Sequence, residues 1–98
     1  MPKTPEAKVK ARVTAMLKAA GAYYFYPVTG GFGRSGVPDI IACHRGVFVA
    51  IECKAGSNRP TPLQTANLDA IRRAGGVALV INEDNMADLA DALRRVEE

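Results

Sequence analysis

The sequence predicts one mixed α/β domain in which a mixed central sheet is flanked by helices, with the element order α-β-β-β-α-β-α. Three observations lead there. Apolar residues recur with helical spacing in three stretches, two of them opened by Thr-Pro and followed by glycine. Four short runs rich in β-branched, aromatic or wholly apolar residues lie between these stretches. The chain has 98 residues with 48% hydrophobic content and neither repeats nor a low-complexity linker, so residues 1–98 are expected to build a single core.

The first helix is expected over about residues 5–20. Thr4-Pro5 supplies a cap and a first-turn proline; Val9, Val13, Met16, Leu17 and Ala20 repeat on one face, and Gly21 stops the helix. Ala22 to Tyr26 is aromatic and strand-like. After the glycine-rich stretch TGGFGRSG come two more strand-like runs, Asp39 to Cys43 and Val47 to Cys53. Thr61-Pro62 opens a second helix with Leu63, Ala66, Ala70, Ile71 and Ala74 on its apolar side, and Gly75-Gly76 closes it. Val77 to Ile81 reads as a buried strand. A last amphipathic helix uses Met86, Leu89, Ala90, Leu93 and Val96.

Composition excludes several classes. No apolar run approaches a membrane span, and the opening MPKTPEAKVKAR lacks a signal-peptide core, so a cytoplasmic protein with no membrane partner is expected. Charge is unevenly placed: residues 1–60 carry nine Lys or Arg against three acids, a net of +6, whereas residues 61–98 carry a net of −3. A basic N-terminal part suits a phosphate backbone, although solvated lysines on an amphipathic helix have the same composition. Cys43 and Cys53 lack zinc-type spacing and read as ordinary buried thiols. His44, beside a turn, is expected at the surface.

The hairpin fixes a register. With Arg45-Gly46 as a two-residue turn, His44 faces Val47 and Asp39 stands opposite Glu52. Opposed Cβ atoms lie about 4.5–5.5 Å apart, so two like charges there are destabilising unless something positive lies between them. A divalent cation meets that need. Lys54 shares the carboxylate face and the two cysteines point to opposite faces, which disfavours a disulfide. Two oxygen ligands and an ammonium are an inventory for binding Mg²⁺, activating a water and neutralising a phosphate oxygen. A one-residue bulge would break this register.

At these residues the sequence resembles a known family. Pro38-Asp39 followed by Glu52-Cys53-Lys54 is similar to the signature of the PD-(D/E)XK nucleases, whose restriction-endonuclease-like core has the order α-β-β-β-α-β. The resemblance is closer to the VRR-NUC branch, the virus-type replication-repair nucleases: GVPDIIA, a hydrophobic strand ending in ECK, PTPLQ opening the next helix, and GG before the next strand. It runs from about Glu6 to Ile81 and points to a stand-alone, phage-type member.

The resemblance implies a metal-dependent DNA endonuclease using Mg²⁺ or Mn²⁺, with Asp39, Glu52 and the backbone carbonyl of Cys53 as metal ligands and Lys54 as the catalytic lysine. It also implies a site role for Gln64, and Glu6 as a first-helix metal ligand. Other readings of these residues stay open. Thr61 to Gln64 is also a capping box, and Glu6 also suits the helix dipole or a pair with Lys10. Lys54 serves either as a base toward water or as a stabiliser of phosphate charge. The stretch TGGFGRSG is no Walker loop, but Arg34 within it and Arg59 after the ECK strand are candidates to grip DNA phosphates. Stand-alone members resemble homodimers acting on four-way junctions, and the aromatic run Tyr23 to Tyr26 has rings to spare for an interface. The alternative is an inactive nucleic-acid-binding module on the same fold.

Overall fold

The computed structural model describes residues 3–28 and 33–98, so residues 29–32 of the glycine-rich stretch lie outside the described residues. The elements are α1 (Pro5–Ala20), β1 (Tyr23–Phe25), β2 (Ile40–His44), β3 (Val47–Cys53), α2 (Pro62–Arg73), β4 (Val77–Ile81) and α3 (Met86–Glu97). Local chemistry sets their ends. Thr4 Oγ1 accepts from the Ala7 N–H at 3.0 Å, and Gly21 ends α1 in the left-handed region at φ 78°. Arg45 and Gly46 both take positive φ, 53° and 83°, the geometry a two-residue hairpin turn of the right-handed sheet requires.

The strands lie in the order β1-β2-β3-β4. The first three are antiparallel neighbours, and β4 runs parallel to β3 after the crossover through α2. The hairpin register pairs Ile40 with Ile51, Ala42 with Val49 and His44 with Val47, as the two-residue turn dictates. No bulge intervenes.

One face of this sheet is closed. Ile40, Ala42, Val49, Ile51, Cys53 and Ile81 pack there against Val9, Val13 and Leu17 of α1 and Met86, Leu89 and Leu93 of α3. Each fully buried Leu, Ile or Val contributes about 1.5–3 kcal/mol, and this layer holds most of the molecule's apolar burial. His44 belongs to it too, which corrects the surface position expected of it. The even-numbered residues of β2 all point to the α1/α3 side, and the last turn of α3 meets the hairpin end, where His44 Nε2 lies 2.7 Å from Glu97 Oε2. The ring is 2% exposed.

The other face is half covered. Helix α2 lies over its β3–β4 half through Leu68, Ile71 and Ala70. The β1–β2 half carries no helix: Tyr23, Cys43 and Phe48 sit in one row across three strands, and Tyr23, Phe25 and Phe48 are 72%, 47% and 47% exposed. Cys43 is therefore an exposed thiol, not the buried one expected, while Cys53 on the opposite face is buried.

Candidate active site

The open face carries the charges. The β2–β3 register, continued one step beyond the Ile40–Ile51 pair, brings Asp39 level with Glu52. The end of β3 also holds Asp39 directly, since its Oδ2 accepts from the Cys53 N–H at 2.8 Å. Lys54 keeps strand phase because its own N–H donates to the Ile81 carbonyl at 3.0 Å, continuing the parallel ladder past Cys53. Its ammonium then lies 3.3 Å from Glu52 Oε2. The sequence-predicted trio of Asp39, Glu52 and Lys54 is thus brought together.

Glu52 is buried, 2% exposed. Burial first, and the Asp39 carboxylate second, push its pKa up to about 7 against the hydrogen bond and charge of Lys54, which pull it down; Glu6 adds the smallest upward effect. One nearby ammonium is too little positive charge for two adjacent carboxylates, one of them desolvated. The Cys53 thiol, on the other face of the sheet and pushed up to about 12 chiefly by burial and next by Asp39, has no thiolate character near neutral pH. The donor set is oxygen-only and suits a hard divalent cation such as Mg²⁺ or Mn²⁺. Among the described residues no three or more His, Cys, Asp or Glu side chains come together to hold a metal, and the candidate side-chain ligands gathered here are Asp39 and Glu52.

The other candidates fall around this centre. Glu6 is exposed in the first turn of α1, felt electrostatically by Glu52 but not gathered with it. Gln64 completes the capping box: its Oε1 accepts from the Thr61 N–H at 2.9 Å, and its own N–H donates to Thr61 Oγ1 at 3.2 Å. Its amide oxygen is thereby engaged, and its amide nitrogen remains for other contacts. Arg34 lines a groove of about 420 Å³ along α2 with Phe48, Asn67, Ile71 and Gly76, toward the end of β3 opposite Glu52. Arg59 is exposed in the loop after Lys54.

Two supports went unread in the sequence. Asn67, buried, donates to the Ser35 carbonyl at 3.1 Å and the Leu63 carbonyl at 3.0 Å, tying the segment before Asp39 onto α2. Gly36, at φ 74°, has no room for a Cβ against Leu63, so that tie is close. Glu83 anchors the loop after Lys54 by accepting from the Gly56 N–H at 2.9 Å, and its own backbone N–H first, with the Gly56 N–H second, holds its carboxyl below the usual range. An asparagine at a helical position facing the apolar side was the available signal for Asn67. Glu83 had none, because its partner lies 27 residues away.

No protein-family model matches the chain. A protein named "Putative nuclease p44", from Acyrthosiphon pisum secondary endosymbiont phage 1, is 31% identical over 62 residues, which span 62% of this chain and 67% of that protein. Two solved structures described as VRR-NUC domain proteins superpose with TM-scores of 0.73 and 0.70 at 21% and 22% identity. They cover 95% and 97% of this chain and 90% and 92% of theirs. Archaeoglobus fulgidus Hjc, a Holliday junction resolvase from an archaeal hyperthermophile, shares the fold at TM-score 0.57 and 19% identity, over 79% of this chain and 68% of that one.

Proposed function

This chain belongs to the VRR-NUC family of nuclease domains, and from that premise we propose that it is a divalent-metal-dependent endonuclease that hydrolyses phosphodiester bonds in DNA. The observation that carries the reading is the buried Glu52 level with Asp39, with Lys54 3.3 Å away. Asp39, Glu52 and the Cys53 carbonyl would hold Mg²⁺ or Mn²⁺. Bound there, the ion supplies Lewis-acid polarisation of the scissile phosphate and of the attacking water.

The chain's own residues do the rest. The water oxygen forms a bond to phosphorus, the ester P–O bond breaks, and the departing oxygen takes up a proton. Lys54 is held by Glu52 where an ammonium either orients the attacking water or neutralises charge growing on the phosphate oxygens. The Asp39 carboxylate is kept from turning away by the Cys53 N–H. Gln64 can serve structure and substrate together, with its oxygen on the cap and its amide nitrogen toward DNA. Gln64→Glu keeps the box, so impaired cleavage at nearly unchanged melting temperature supports that double role, and normal turnover leaves Gln64 as a cap alone.

The fold shared with a Holliday junction resolvase supports branched DNA as the substrate class, and the phage-encoded relative supports the cytoplasm of a bacterial or phage-infected cell as its place of action. The exposed Tyr23 and Phe25 on the helix-free half of the sheet, with half-exposed Phe48 at its border on β3, support a second copy as the partner, giving the paired sites that symmetric cutting of a junction requires. A panel of labelled duplex, flap and four-way-junction DNAs, incubated with Mg²⁺, Mn²⁺ or EDTA, tests activity and substrate together. Cleavage that persists in EDTA, or in Glu52→Gln, overturns the metal-centre reading. Light scattering that finds only monomer on junction DNA overturns the dimer.

A further inference from the structure

Glu6, Lys10 and Thr14 follow at intervals of four residues and form one row along α1. Two of the three are committed to one aromatic ring. The Lys10 ammonium lies 4.4 Å from the centroid of Tyr26, and Thr14 Oγ1 is 2.8 Å from the Tyr26 hydroxyl. Tyr24 meets the same ring edge-on, 6.2 Å between centroids, so Tyr26 is fixed from two sides. One step beyond the Phe25–Ile41 pair, Tyr26 comes level with Ile40, the neighbour of Asp39. Lys10 therefore stands at the carboxylate end of the sheet, on the α1 side.

Lys10 is half-buried, yet among the described residues no carboxylate lies within salt-bridge distance of it, not even Glu6 one turn away. A lysine on this surface usually swings freely in water. This one is laid on an aromatic face, which restricts its rotamers before any ligand arrives and removes much of the ordering cost of binding an anion. Lys54 cannot fill the same role, because Glu52 holds its ammonium at the reacting group. A polyanion needs a second anchor to fix its direction across the site.

We propose that Lys10, seated on Tyr26, forms a subsite for a backbone phosphate of the bound DNA strand, at the same end of the sheet as the Asp39–Glu52–Lys54 centre but on the α1 side and separate from it. The subsite rests on the nuclease reading. It reads no base, so its contribution is the same for every sequence, and it acts on the direction and affinity of binding instead of on the bond being cut.

The test is a set of anisotropy titrations of wild type, Lys10→Gln, Lys10→Arg and Tyr26→Leu against a fluorescein-labelled DNA in EDTA, across about 50–200 mM salt. Lys10→Gln should bind about three- to tenfold more weakly at the low-salt end, with a log–log salt slope shallower by about one. Lys10→Arg restores the slope, and Tyr26→Leu loses part of the affinity while keeping the slope. In Mg²⁺ the Lys10→Gln loss appears in KM and not in kcat. A salt slope in Lys10→Gln equal to that of wild type overturns the subsite. If wild type cleaves, Glu52→Gln does not, and that slope is unchanged, the nuclease reading stands and the subsite alone falls. Wild type that neither binds nor cuts DNA brings down both.

Discussion

The two faces of the sheet are built from the same strands and to opposite ends. On the α1/α3 side the buried strand positions are filled with aliphatic residues or Cys53, with Tyr24 packed half-buried against them, apart from His44, which has its own partner in Glu97. On the α2 side the same strands present Asp39, Glu52 and Lys54 at one end, an exposed aromatic row on the helix-free half, and a helix over only the remainder. One face holds the molecule together, and the other spends part of that stability on keeping a carboxylate dry. Period-two alternation makes this division possible within single strands: Ile51 and Cys53 belong to the core while Glu52 between them belongs to the site.

That division can be broken most sharply at Glu52. Glu52→Gln should lower cleavage by about three orders of magnitude or more, since it removes a proposed metal ligand and the group that positions Lys54. Single-turnover assays on junction DNA measure this, and a loss below about tenfold would dissolve the contrast. The same substitution should leave the melting temperature in EDTA unchanged or raised.

The matching change on the closed face is Leu17→Ala. It should leave Mn²⁺ binding measurable by calorimetry but destabilise the fold by about 3 kcal/mol, through lost burial and a residual cavity. Urea melts read the loss directly.

A pH series sharpens the comparison next. The folded protein holds the Glu52 proton to about pH 7, whereas an ordinary glutamate releases it near 4.5. A raised folded pKa means the folded state binds the proton more tightly. The contribution is therefore complete below about 4.5 and lost as pH rises through 7. In EDTA the wild type should be less stable at pH 8 than at pH 5, by up to about 3 kcal/mol from this group, and Glu52→Gln should lack that component. Mn²⁺, which needs the ionised form, should raise the melting temperature more at pH 8 than at pH 6. Equal pH dependence in the two proteins would mean that Glu52 is solvated after all.

The smallest effect on stability is expected at the exposed aromatic row. Phe48→Ser with Tyr23→Ser should shift stability by no more than about 2 kcal/mol, because Tyr23 is largely in water and Phe48 is half-exposed. The visible change should be in molecular mass: light scattering should report dimer for wild type and monomer for the pair. An unchanged mass would remove this surface as the interface.

Much of the fold and the centre of the site could be read from the sequence because both are set by local rules. Thr4-Pro5 and Thr61-Pro62 each opened a helix at the expected residue, and the Arg45-Gly46 turn fixed a register that carried Asp39 to Glu52 without any knowledge of the core. What escaped depends on distant pairings. His44 is buried because of a residue 53 positions later, and the loop after Lys54 is tied by one 27 positions away. Cys43 is exposed because α2 stops short of β2, which no property of Cys43 itself encodes. Arg34 turned toward α2 for a similar reason, since Asn67 holds its neighbour Ser35 there. Gln64 was legible as a cap from four residues alone, and its amide nitrogen's partner is not a local matter.

The two residues of the hairpin turn also bear on how such a chain can change over generations. Substitution at Arg45 perturbs only a left-handed backbone position that Asn or Gly would occupy more comfortably. Insertion is another matter: one added residue that the turn failed to absorb would move every residue of β3 to the opposite side of the sheet. Glu52 would then enter the aliphatic layer and Ile51 would take its place beside Asp39. Length in this turn is thus under a far stricter constraint than identity, although it lies at the opposite end of the strand from the chemistry. A library of single-residue insertions and deletions across residues 44–47, selected for cleavage, would show a gap at the turn where a library of substitutions shows tolerance.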